Sequence, residues 1–252
     1  MLFFLDSLLE KQLQFLWIIM QFNLNHMVLK LEEVQRPPKT SERGALNLYH
    51  ISDAGRVCAE QAKKNGWYEC ATLKEPYRVE GKKTMGYELF EQLDGDLPDV
   101  VVYPTGGGTG LVGMWKAWNE MEIMGWIGTQ RPRLVSVQTS GCAPIVKAFD
   151  EGADRTETWE NPSTTAWGLR VPGPIGGSIC LQAVRETRGT AIAIGEEELY
   201  EQMSFLSAAS GIDVCPEGGA AWAAYRRLRE TSWIDPDERV VVFNTGTGLK
   251  YR

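Results

Sequence analysis

The sequence predicts an α/β fold in which a mostly parallel sheet is flanked by helices. Three observations carry this. From Ile51 onward, short apolar runs alternate with amphipathic stretches, the alternation that βαβ units produce. Behind one leading charge each, the runs DVVVYP at 99–104 and RVVVF at 239–243 are unbroken apolar stretches, as strands buried on both faces are. A dense glycine loop, TGGGTG at 105–110, follows the first of them directly.

Taken in order, residues 52–65 predict a helix, with Ser52 or Asp53 as N-cap and Gly66 just past its end. Residues 83–93 predict a second helix. The buried strand at 99–104 leads through the glycine loop into a helix at 111–124, and RLVSVQ at 133–138 is the next strand. The helix at 196–210 opens on three glutamates, where a helix dipole favours them, and stops at Gly211. Residues 212–215 read as a short strand, 219–230 as a helix and 239–243 as the final strand. No internal repeat or low-complexity tract interrupts the pattern.

Residues 1–43 have a different character and are read as a leader and linker. Their longest apolar stretch, LQFLWIIMQF at 13–22, is far short of the ~20 residues a bilayer needs. The opening MLFFLDSLLE lacks the basic start of a secretory signal. No membrane association is therefore expected, and the location expected is cytoplasmic. Residues 1–30 admit two readings, an amphipathic helix that docks on a partner or a non-native leader. Pro37-Pro38 and the polar KTSERG that follows then read as a linker.

Composition narrows the chemistry. The 252 residues are 43% hydrophobic and 23% charged with a net charge of −7, which argues against nucleic acid because phosphate backbones require a basic face. Residues 1–43 hold five acids and five bases, so the whole negative charge belongs to the remainder. Only His26 and His50 are present. Their absence beyond position 50 removes Ser-His-Asp and Cys-His catalysis, and His-ligated zinc, from the body of the chain; no metal site is expected. The cysteines at 58, 70, 142, 180 and 215 are scattered without a CxxC and are expected to be reduced core residues of an intracellular protein.

The strand, glycine loop and helix present unpaired backbone N–H groups and the positive end of a helix to an anion, for which phosphate is the natural guest. The alternative is that the glycines merely make a tight turn. Gly108-Thr-Gly110-Leu-Val-Gly113 also fits GxGxxG. A dinucleotide site wants an acid at the end of the next strand, where Gln138-Thr139-Ser140 stand instead. A P-loop fails because Met114-Trp115 follow Gly113 where Lys-Ser/Thr belong.

Four blocks then resemble threonine synthase, a fold-type-II pyridoxal-phosphate enzyme: LKEPYRVEGKKTMGYELFEQL at 73–93, PTGGGTGLVGMWKAW at 104–118, CPEGGAAWAAYRRL at 215–228 and FNTGTGLKY at 243–251. They occur in family order, within a resemblance that runs from about Gly44 to the C-terminus. The resemblance implies that Gly106, Gly107, Gly108, Thr109 and Gly110 cradle the phosphate of pyridoxal 5'-phosphate, and that Thr245 hydrogen-bonds the pyridine nitrogen. It implies the conversion of O-phosphohomoserine and water to threonine and phosphate. Arg78, Lys82, Lys83 and Thr84 lie in the block bordering the substrate cleft, and their charge suits a phosphorylated amino acid; a solvated helix start is the other reading of Lys82-Lys83. Glu217 could face the cofactor ring or cap the helix that follows it.

The same resemblance exposes a gap. The family's Schiff-base lysine sits in an S-x-K-D/N-like context upstream of the loop, and none of the eleven lysines here has that context. No catalytic residue is therefore assigned. Residues 44–252 are expected to be the cofactor-binding domain with the N-terminal small domain largely missing, binding cofactor without turnover. Alternatives are another enzyme of the superfamily, such as a threonine dehydratase or a cysteate synthase, or a non-catalytic chain that forms a homodimer or associates with a full-length relative. Plain NAD binding ranks last because of Gln138.

Overall fold

A computed structural model describes residues 15–16 and 51–251. The expected leader and linker, 1–43, otherwise lie outside the described residues. The predicted N-caps Ser52 and Asp53 fall where no side chain is described.

The fold is the predicted one, a parallel sheet flanked by helices. Strands β2 (Val100–Pro104), β3 (Arg133–Thr139), β4 (Thr190–Ile194) and β5 (Val240–Val242) lie side by side in the order β5-β2-β3-β4. A two-residue strand, β1 (Phe15–Leu16), pairs in parallel with the outer edge of β5. Every residue of β2 is buried, because helices cover both faces of the sheet.

The pleat divides the apolar residues between two cores. Val101, Tyr103, Leu134, Val241 and Phe243 pack on one side with α3 (Thr84–Gln92), α4 (Thr109–Ile123), α5 (Pro144–Asp150) and α6 (Gly177–Glu186). Val100, Val102, Val135, Val137, Val240 and Val242 face the other way, onto α7 (Glu196–Ser210) and α8 (Pro216–Glu230). Burying a side chain of this size contributes roughly 1.5–3 kcal/mol, so the alternation fixes the register of the whole sheet. Among the described residues no helix is long and apolar enough to cross a membrane.

Several expectations are corrected. The helix expected at 83–93 is α3, and a further helix that was not expected, α2 (Tyr77–Lys82), precedes it with Lys83 between them. Helix α4 begins two residues earlier than expected, with Gly108 as its N-cap, so Thr109 and Gly110 belong to the helix. The expected strand at 212–215 is reduced to one isolated bridge, Val214 to Thr247, since Cys215 already turns to cap α8. Helices α5 and α6 and strand β4 add to the predicted elements. Cys142, Cys180 and Cys215 are buried, whereas Cys58 and Cys70 are exposed, the first because α1 (Ile51–Asn65) buries little beyond Ala62. All five are free thiols.

Candidate functional site

The glycine loop lies at the carboxyl ends of the strands. Thr105 is anchored there by its N–H, which donates to Val137 O at 2.8 Å, and by its hydroxyl, which donates to Tyr103 O. Beyond it no backbone or side-chain acceptor among the described residues takes the N–H groups of Gly106, Gly107, Gly108 or Thr109. The first bond of α4 is Val112 N–H to Gly108 O. A row of unpartnered donors at a helix N-terminus is an anion site in form.

The loop requires glycine at two points. Gly108 has φ +84°, a left-handed conformation that is costly for L side chains, and a Cβ there would collide with the buried Cys180 Sγ. At Gly106 a Cβ would collide with the carbonyl oxygen of Gly168, in the 3-10 turn Trp167–Leu169. That turn therefore closes one side of the loop. On the other side Thr72 packs against Gly107, 3.1 Å from where a Cβ would stand.

Thr245 follows β5. The β2–β5 register pairs Val102 with Val242, so carrying it on sets Thr245 level with Thr105 at the same end of the sheet. Its side chain is exposed and makes no hydrogen bond among the described residues, whereas the neighbouring Thr247 hydroxyl is engaged by Asp213 at 3.2 Å. The unpartnered loop donors, the absence of side chains on the loop and the free hydroxyl of Thr245 together fit a phosphorylated ring cofactor.

The basic block divides. Arg78 donates to Thr72 Oγ1 at 2.7 Å, which brings its guanidinium beside Gly107. Lys82 lies against Gly113 of α4, its backbone carbonyl carbon 2.9 Å from where a Cβ would stand; burial first, and then the charge of Arg78, lower its ammonium pKa. Lys83 points elsewhere, held by Glu120 at 2.8 Å and Glu80 at 2.6 Å. Thr84 is exposed and donates to Gly81 O. Arg78 thus lies beside the loop and the Lys82 backbone packs on α4, while Lys83 ties α2 to α4 and Thr84 bonds back to α2.

The Lys83 cluster yields a testable pH dependence. Burial alone raises the Glu120 carboxyl, but hydrogen bonds from Lys116, Lys83 and Tyr87 outweigh it and bring it to about 2. A depressed folded pKa stabilises at neutral pH, and that stability is lost as pH falls from the ordinary carboxylate range through about 2. Because the cluster is partly solvated, the contribution is at most about 1 kcal/mol. Thermal melts of Glu120→Gln should show a shallower fall in Tm from pH ~5 to ~2 than the parent; parallel curves would deny the cluster this role.

Gln138 was not legible as a site residue, and Glu217 was legible only as one of two open readings. Gln138 is fully buried, and its amide donates to Thr105 O at 3.2 Å while its oxygen accepts from Ile145 N–H and Val146 N–H at 2.8 and 3.2 Å. It joins the loop to the N-terminus of α5. Glu217 does not cap α8, so that of its two readings the helix cap is excluded. Its Oε1 accepts from Gly168 N–H at 2.8 Å and from the Tyr251 hydroxyl, and Cys215 Sγ is the cap, accepting from Gly218 N–H. The PEGG run was the only sequence signal for Glu217.

A cleft of about 650 Å³ opens at the opposite ends of the strands, beside Asp99, Arg133 and Arg239. Three of its four arginines are engaged, Arg131 by Glu122, Arg133 by Glu238 and the Trp233 carbonyl, and Arg239 by Asp96 and the Leu97 carbonyl, while Arg188 is exposed.

Comparison with known proteins agrees with this geometry. The family described as "Pyridoxal-phosphate dependent enzyme" matches residues 41–246. Threonine synthase of Methanosarcina acetivorans is 38% identical over 175 residues, 69% of this chain and 43% of that protein. Threonine synthase of Methanocaldococcus jannaschii is 36% identical over 201 residues, 80% of this chain and 49% of that protein. The chain thus spans about half the length of the curated relatives it matches. In fold it resembles maize serine racemase, with a TM-score of 0.64 at 18% identity over 79% of this chain and 58% of that one. It also resembles threonine deaminase isoform 2 from Solanum lycopersicum, with a TM-score of 0.64 at 19% identity over 78% and 53%.

Proposed function

Because the chain belongs to the pyridoxal-phosphate dependent enzyme family, which matches residues 41–246, we propose that residues 44–252 are the cofactor-phosphate-holding domain of a threonine-synthase-like protein. The observation that carries this is the row of unpartnered N–H groups from Gly106 to Thr109 at the start of α4. When bound, pyridoxal 5'-phosphate supplies an electron sink for carbanion chemistry on an amino acid. The chain's own part is binding and orientation. The loop amides, with Gly110 behind them, hold the phosphate, and the α4 dipole adds to their pull.

Thr245 would meet the pyridine nitrogen with a neutral hydroxyl, which would leave that nitrogen unprotonated and keep charge near the reacting carbons. That suits elimination and replacement at a phosphorylated side chain, and O-phosphohomoserine with water, giving threonine and phosphate, is the reaction proposed. For the substrate's phosphate the assigned charges are Arg78, beside the loop through Thr72, and Lys82, whose backbone lies against Gly113 of α4; Lys83 and Thr84 belong to the same block at one remove. A threonine dehydratase or a cysteate synthase is the less favoured reading, since the relatives at 36–38% identity are threonine synthases.

By themselves these 252 residues bind cofactor without turnover, because none of their eleven lysines has the Schiff-base context. The five free thiols support a reducing, cytoplasmic setting. Exposed Trp67, Tyr68 and Tyr77 support association, as a homodimer or with a full-length relative. Sedimentation should accordingly find self-association, and a monodisperse, cooperatively melting monomer would count against it.

The test of the reading is titration with pyridoxal phosphate, competition by inorganic phosphate, then borohydride reduction and peptide mapping with a threonine assay. Saturable, phosphate-competed binding with no stoichiometric adduct at one lysine and no threonine is expected. A single-lysine adduct accompanied by threonine formation would sink the claim of binding without turnover.

A further inference from the structure

Glu217 is a nearly buried carboxylate, 5% exposed, on the first turn of α8. A charge taken out of water is costly unless donors meet it, and here two donors come from distant parts of the chain. Gly168 N–H, from the 3-10 turn, lies 2.8 Å from Oε1, and the Tyr251 hydroxyl, from the C-terminal turn Gly248–Tyr251, donates to the same oxygen. The rings of Trp167 and Tyr251 lie 5.1 Å apart between centroids, so the two turns are packed as well as bonded. Gly168 in turn has its carbonyl oxygen seated against the Cα of Gly106. A continuous path of contacts therefore runs from α8 through Glu217 and Gly168 to the first glycine of the loop.

We propose that Glu217 is a positioning residue: its carboxylate fastens the Trp167–Leu169 turn against Gly106 and thereby holds the loop's N–H groups in place for a phosphate. This rests on the reading of the loop given above. Gly168 suits the task because a side chain there would stand 2.8 Å from the same Oε1 atom. Burial first, and then hydrogen bonding to Glu217, push the Tyr251 phenol upward, so it remains a donor at any working pH. Cys215, beside Glu217, stays a thiol because burial and then the carboxylate's charge push it up to about 12. It donates to Asn244 Oδ1.

The chemistry asks for an acceptor oxygen at this point, and charge only strengthens it. Glu217→Ala removes the acceptor, Glu217→Gln keeps one, and Tyr251→Phe removes one of the two donors. In the full 252-residue chain, Glu217→Ala should weaken pyridoxal phosphate binding roughly tenfold or more. It should also speed amide exchange in the peptides covering 104–112 and 166–170. Glu217→Gln should stay within about threefold of the parent, and Tyr251→Phe should fall between. Rescue by the glutamine variant separates positioning from a general loss of stability. If Glu217→Ala fails to fold, the Tyr251→Phe comparison carries the test.

A parent chain that binds, with Kd and exchange at 104–112 unmoved by Glu217→Ala or Tyr251→Phe, overturns the proposal. A parent chain that binds neither pyridoxal phosphate nor inorganic phosphate, while Glu217→Ala still speeds exchange at 104–112, overturns the reading of the loop and leaves the clamp standing.

Discussion

Replacing Gly108 with alanine should abolish measurable pyridoxal phosphate binding and lower the free energy of unfolding by roughly 2–5 kcal/mol. Two costs add. At φ +84° a residue with a Cβ loses about 1–2 kcal/mol to the left-handed backbone. The new methyl also meets Cys180 Sγ inside a filled core, and overpacking of that kind costs about 1–3 kcal/mol. Gly211, which ends α7 at φ +70° with nothing within 4 Å of where a Cβ would stand, isolates the first cost, so Gly211→Ala should lose only about 1–2 kcal/mol. Cys180→Ala in the Gly108→Ala background removes the obstructing sulfur, and the pair should couple favourably by about 1–3 kcal/mol in urea unfolding. Binding should stay weak in the double variant if the strained backbone no longer aligns its amides. Gly108→Ala behaving as mildly as Gly211→Ala would remove the packing argument.

How much of this was legible in the sequence depends on how far apart the partners are. The strands at 99–104 and 239–243 were legible because burial on both faces writes itself as an unbroken apolar run, and α7 because its acids and Gly211 mark both ends locally. Strand β4 escaped because TAIAI is short and only half-buried and takes its form from the packing around it, whereas α6 was missed although GSICLQAVRE places Gly177, Cys180, Leu181 and Val184 at helical spacing on one buried face. At the site, the loop's capacity for an anion is a property of one contiguous segment and was readable. The closing turn at Trp167–Leu169 was not, because it meets Gly106 from some sixty residues away and nothing in WGL announces it. The basic block was readable as charge but not as direction. Only the tertiary contacts separate Arg78, beside the loop through Thr72, from Lys83, drawn off by Glu120.

Gln138 is the sharpest case, and its substitution the second large effect. In the sequence it counted only as a missing acid for a ribose. In the fold its side chain satisfies three buried backbone groups at once: Thr105 O, Ile145 N–H and Val146 N–H. An unsatisfied buried group costs about 1–3 kcal/mol, so Gln138→Ala should destabilise the chain by at least about 3 kcal/mol and loosen both the loop and α5. Gln138→Glu divides these roles. A carboxylate still accepts from the two α5 amides, which a helix N-terminus favours, but it cannot donate to the Thr105 carbonyl and repels it. Amide exchange should therefore quicken at both 104–112 and 144–150 in Gln138→Ala, but chiefly at 104–112 in Gln138→Glu. Cofactor affinity should fall in both variants, because Thr105 O is the last fixed point before the unpartnered amides begin. Equal exchange at both segments in the two variants would mean that the side chain acts as bulk and not as a two-ended link.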